Sequence, residues 1–203
     1  MKAFGFISGI SKKGLLIATG ALMVLGLIFS VPTNAVFAAS VTPASYVSLT
    51  KAYQADQNWF KAQHVNVGRA DVVVTQVQAL ITAAKTDGIS TSGLEAALDV
   101  FQAQLRTVKV SHATANAVLT AHKGFDNAGN VTNPVLAAQT VKDATQSLSD
   151  AHRVLVQSSS DLLTALKLWS THNHITASSP VYSVYNTAYQ ATLTLHNAVT
   201  GEH

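Results

Sequence analysis

From Tyr46 onward the chain repeats itself every seven residues, and this rhythm limits the fold more than any motif does. Tyr46, Tyr53, Phe60, Val67, Val74 and Ile81 make one series, and Leu49, Asp56, Gln63, Ala70, Val77 and Ala84 make a second, offset by three. Steps of three and four keep a narrow stripe on one side of an α-helix, and so narrow a stripe is stable only against another helix. The pattern predicts long helices folded back on one another.

Local punctuation divides the pattern into elements. Thr42-Pro43 opens the first helix, since proline is tolerated in a first turn, and Asp87-Gly88 closes it with a residue suited to a left-handed cap. Ser92 and Glu95 read as a capping box that opens the second helix. Its seam interleaves Leu94, Phe101, Val108, Ala115 and His122 with Leu98, Leu105, His112 and Leu119. Lys123-Gly124 ends it, and Asp126 to Asn130 is turn chemistry. Asn133 caps a third helix with Pro134 in its first position, and Val141, Leu148, Leu155, Leu162 and Trp169 recur along it.

After a connection over residues 172–179, Ser179-Pro180 opens a shorter helix. Val181, Val184, Ala188, Ala191, Leu195 and Ala198 share one of its faces, and an extended tail is the alternative for so β-branched a stretch. Helix is expected over residues 44–86, 93–122, 134–171 and 180–199. The fold class is all-α: an elongated antiparallel bundle of three long helices plus a shorter C-terminal one, with connections short enough to make consecutive helices neighbours.

The N-terminus obeys a different logic. Lys2, Lys12 and Lys13 precede Gly14 to Val31, eighteen residues without a charge, and Pro32 and then Val36-Phe37-Ala38 follow. Basic, apolar and small-residue regions in that order are the export pattern. Residues 1–38 are read as a cleaved signal peptide and 39–203 as a single helical domain, secreted or held in the cell envelope. A retained membrane anchor is the alternative, because eighteen apolar residues sit at the lower edge of what spans a bilayer.

That division changes the meaning of the charge. The chain carries 13 Lys and Arg against 10 Asp and Glu, and the three N-terminal lysines account for the whole excess of +3. The remainder is formally neutral and has no basic run, which argues against a nucleic-acid partner. There is no cysteine, so thiol catalysis, Cys-bound zinc and iron–sulfur clusters are excluded. Removing 38 of 203 residues leaves 165, enough to bury a core without disulfides.

Histidine is the one enriched reactive residue, and all eight copies follow Ala38: His64, His112, His122, His152, His172, His174, His196 and His203. His172 and His174, two apart past the third helix, form the candidate metal site. Counting along the bundle brings Asp87 and Glu95 level with them as further ligands, and the donor set suits a divalent ion such as zinc. The structural alternative is that they complement the dipole of a helix end. His64, His112 and Asp143 fall at similar heights and form a second candidate, a polar layer that binds metal, titrates or fixes register. His122 with Asp56 is a weaker version of the same idea.

The chain has no Gly-x-Ser-x-Gly elbow, no His-Glu-x-x-His, no phosphate loop and no dinucleotide fingerprint. No enzyme is expected. Tyr182, Tyr185, Tyr189 and His196 make a stripe on the last helix, either a docking face or the rim of the core. Asn130-Val131-Thr132 fits a glycosylation sequon. The functional expectation is an exported, non-enzymatic structural, scaffold or binding module at the cell envelope, working through a protein partner or self-association. The alternative is a divalent-metal binder using His172 and His174.

Overall fold

The computed structural model describes residues 43–201, so the expected signal peptide at residues 1–38 lies outside the described residues. Four helices account for most of them: α1 (Pro43–Thr86), α2 (Ser92–Ala121), α3 (Pro134–His172) and α4 (Tyr182–Thr200). The fold is all-α, with three long helices and a shorter fourth. Apart from an isolated bridge between Phe125 and Val131, the described residues form no β-pairing. At 1.5 Å per residue α1 runs about 66 Å.

Side-chain links between helices fix their directions. Lys109 Nζ meets Asp71 at 2.6 Å, Lys85 pairs with Glu95, and the Tyr53 hydroxyl donates to Leu119 O at 2.9 Å, so α1 and α2 run antiparallel. Gln63 Nε2 donates to Leu148 O at 3.0 Å and Trp169 Nε1 to Ser90 O at 2.8 Å, which sets α3 parallel to α1. Ser159 opposite His196 and Trp169 opposite Tyr185 set α4 against α3. The α2 and α4 helices each pack on both α1 and α3 and do not meet one another. With 19 residues, α4 reaches only part of the way along α3. Among the described residues, one end of the bundle therefore has four helices and the other has three.

The caps follow local chemistry. Asn133 Oδ1 accepts from the N–H groups of Val135 and Leu136, both at 3.1 Å, and Pro134 takes the next position, where no amide is needed. Gly124 sits at φ +85°, where a Cβ would lie 2.2 Å from Ala137 N, so the α2–α3 connection requires glycine. Its carbonyl accepts from Thr132 and Asn133, closing the turn against the start of α3.

Three boundaries differ from expectation. The N-cap of α2 is Thr91, and no side chain caps it; Ser92 is the first helical residue, and the Thr91 hydroxyl donates to Glu95 Oε1 at 3.1 Å. Glu95 is drawn to Lys85, so the Ser92–Glu95 capping box does not form. His122 leaves the seam of α2 because it is the C-cap, in a left-handed conformation at φ 35°. The last helix begins at Tyr182, with the turn Tyr182 N–H to Ser179 O leading into it.

The core has two parts. Leu80, Leu94, Leu98, Phe101, Leu155, Leu162, Leu166 and Leu195 belong to the larger cluster, where four helices meet. Tyr53, Leu119, Phe125, Ala137 and Ala144 form the smaller one, at the three-helix end. Among the described residues no helix is long and apolar enough to cross a membrane.

Candidate functional site

Polar side chains on the seam positions form a belt beside the smaller core. Asp56 is 5% exposed and Gln63 3%, both on the α1 series that elsewhere carries Ala70, Val77 and Ala84. The Thr145 hydroxyl reaches both Asp56 oxygens, at 3.1 and 3.0 Å. Burial pushes the Asp56 carboxyl up to about 6, against the smaller opposing effect of that hydroxyl. Gln63 satisfies its amide N–H on Leu148 O, while its Oε1 has no partner among the described residues. His152, half-buried, stands edge-on to Trp59 with ring centroids 5.9 Å apart, and burial holds its imidazole below the usual range.

His112, 8% exposed, lies in the same belt on α2. It stacks on Phe60 with centroids 4.2 Å apart, and Nε2 faces Phe60 O at a long 3.4 Å. His64, exposed and one turn further along α1, has its ring centroid 5.6 Å from that of His112, with the planes 27° apart. Burial lowers the His112 pKa, the Phe60 carbonyl opposes it, and the His64 charge adds a smaller lowering. The structure thus brings together His64 and His112, two of the three residues expected to form a polar layer. Asp143 is elsewhere: it accepts from Gln139 Nε2 and lines a cleft with Ala117, Leu136 and Thr140. His122 and Asp56 also have separate partners, since His122 Nδ1 turns to Thr120 O at 2.7 Å.

The other expected ligands lie in the turns at the four-helix end. His172 ends α3, His174 follows in a left-handed conformation at φ 52°, and Asp87 follows α1; all three are exposed. Glu95 is ion-paired with Lys85, whose ammonium holds the carboxylate below its ordinary range. Among the described residues no three His, Asp or Glu side chains are grouped to hold a metal ion.

The aromatic stripe is continuous. Trp169–Tyr185, Tyr182–Tyr185 and Tyr185–Tyr189 centroids are 6.2, 6.4 and 5.9 Å apart, and Lys167 Nζ lies 5.8 Å from the Tyr189 ring. Tyr185 and Tyr189 pack on the larger core, which is the rim arrangement. His196 instead meets Ser159, Nδ1 to Oγ at 3.1 Å. Ser159 is fully buried and its hydroxyl donates to Val156 O, so its oxygen accepts from the His196 ring and is not presented to solvent.

One feature escaped the sequence reading. On α2, Ala96, Ala103, Val110 and Ala117 repeat every seven residues, and Val100, Thr107, Thr114 and Ala121 do so four residues further along. All eight are exposed. Each lies two residues beyond a buried seam position, which at 100° per residue places this second seam almost opposite the first. It runs about 38 Å without a charge. The Thr107 and Thr114 hydroxyls turn back to Ala103 O and Val110 O, at 3.5 and 3.1 Å. The exposed surface of α3, by contrast, carries Lys142, Asp143, Arg153, Asp161 and Lys167, of which Asp143 and Asp161 line clefts against α2. The sequence carries this seam as a second heptad offset by two from the core-forming series.

Fold and surface define an all-α bundle with a polar belt and an uncharged outer seam. No protein-family model matches the chain, and neither a curated protein nor a solved structure matches it significantly.

Proposed function

We propose that the chain is an exported, non-enzymatic helical bundle that acts at the cell envelope as a structural or binding module, through the outer face of α2. The observation that carries this reading is the uncharged second seam. A solvent-facing helix side is ordinarily charged or strongly polar, yet this one exposes Val110 at 67% and Val100 at 54% among alanines and threonines. Contiguous exposed apolar surface of this kind marks contact with another chain. Export rests on the N-terminal pattern of basic, apolar and small-residue regions.

The test uses the protein from Ala39 onward and its Val100→Glu, Val110→Glu double variant, with circular dichroism confirming the fold of each. Both are used as bait in a pull-down from the cell envelope and compared by gel filtration with light scattering. The reading expects a partner or a self-associated species that the double variant loses. Association identical in both proteins, or turnover of a substrate lost on changing a cleft residue, overturns it.

A further inference from the structure

We infer that His64 and His112 together bind a divalent transition-metal ion, one imidazole from α1 and one from α2, with water completing the shell. This site is separate from the outer seam of α2 and from the His172–His174 pair.

Geometry carries the inference. An ion held by two imidazole nitrogens at about 2.0–2.1 Å each, with a tetrahedral or wider angle between them, places the ring centroids about 5–6 Å apart. The His64 and His112 centroids are 5.6 Å apart. His64 is exposed, with its ring centroid 6.5 Å from that of Phe60, whereas His112 is buried under the Phe60 ring stacked on it at 4.2 Å. The pair therefore combines a buried ligand with one that solvent reaches.

The ring chemistry of His112 agrees. Its Nε2 faces Phe60 O, and a carbonyl can only accept, so in the neutral ring Nε2 carries the hydrogen and Nδ1 keeps the lone pair. A histidine ligand whose other nitrogen donates to a backbone carbonyl is the usual outer-shell arrangement, because it fixes the tautomer and raises ligand basicity. Burial favours the neutral form of His112, the form that ligates, and outweighs the opposing effect of the Phe60 carbonyl. Two imidazoles without thiolate or carboxylate select Cu²⁺, Ni²⁺ or Zn²⁺ over Mg²⁺ or Ca²⁺. Such an ion cross-links α1 and α2 at the polar belt.

The experiment is calorimetry with Cu²⁺, Ni²⁺ and Zn²⁺ on the protein from Ala39 onward, on its His64→Ala variant and on a His172→Ala, His174→Ala double variant. His64 is exposed, so its replacement leaves the fold intact. Binding by the parent and by the double variant, lost in His64→Ala, supports the site. So does Cu²⁺-induced broadening of the His64 and His112 ring signals before those of other histidines. Equal heats in the parent and His64→Ala, no heat in the parent with any of the three ions, or first broadening at His172 and His174, overturns it.

Discussion

The two ends of the bundle use the same heptad positions for opposite purposes. Where α4 joins the other helices, the seams carry Leu, Val and Phe: Leu80, Leu94, Phe101, Leu155, Leu162, Leu166 and Leu195 are all within 2% of complete burial. Where α4 does not reach, equivalent positions carry Tyr53, Asp56, Gln63 and His112, with Ala137 and Ala144 facing them. A fourth helix removes enough water to reward large apolar side chains, each worth about 1.5–3 kcal/mol when fully buried. With three helices the interior is thinner, and polar side chains reach backbone carbonyls instead: Tyr53 to Leu119, Gln63 to Leu148 and His112 to Phe60. One end is built for stability. The other holds the acid–base groups inside the described bundle that burial shifts: Asp56, raised to about 6, and His112 and His152, both lowered.

The largest effects should follow the apolar end. Phe101→Ala leaves a cavity among fully packed neighbours and is expected to cost about 3–5 kcal/mol of unfolding free energy. Leu119→Ala, at the three-helix end, should cost about 2 kcal/mol, because water can enter beside the polar belt. Urea unfolding of both variants measures the difference, and equal losses would contradict a division into unequal halves.

A smaller effect, opposite in sign, is expected at Asp56. The folded protein holds the Asp56 proton to about 6, whereas the carboxyl of the unfolded chain titrates near 3.8. Its contribution to stability is therefore fully present below 3.8 and is lost as pH rises through about 6. His112 and His152 act the other way. Their folded-state pKa values lie below the ordinary 6.5, so the stability they lend is present above 6.5 and falls as pH drops below it. Asp56→Asn should stabilise the protein by about 1–2 kcal/mol at pH 7.5, less than the full linkage value because the carboxyl keeps some solvent. The gain should shrink to nothing near pH 4. Melting curves across that range would separate this from a gain independent of pH, which would mean that Asp56 does not titrate as described.

Much of this was readable from the residues alone, and the failures have physical causes. Eight of the nine seam positions expected on α2 are buried, because this helix contacts its neighbours along one stripe for its whole length. On α1 the narrow stripe holds less well: Tyr46 is exposed and Leu49, Phe60, Val67 and Val74 are only half-buried, while past Ala70 Val73 and Leu80 join the buried set. There α1 meets α4 as well as α2 and α3, and the buried face widens and turns. Heptad spacing cannot announce a third neighbour. The His64–His112 pair was legible from counting residues back from the first turn, since α1 and α2 run antiparallel. Asp143 was misplaced because the count across the longer α2–α3 connection gives height but not direction around the helix. The α2 cap moved from Ser92 to Thr91 because Lys85 competes for the Glu95 carboxylate, an interaction between separate helices that a four-residue motif does not contain.

Native-state hydrogen exchange tests the two-ended construction most directly, because one helix crosses both ends. Within α2, the amides of Leu98 to Val108 lie over the larger core, and those of His112 to Leu119 lie over the polar belt and the smaller one. The account predicts that the first group exchanges only through global unfolding, while the second opens locally with a lower free energy, as do Thr140 to Leu148 in α3. Uniform protection along α2, or slower exchange at His112 to Leu119 than at Leu98 to Val108, would contradict it.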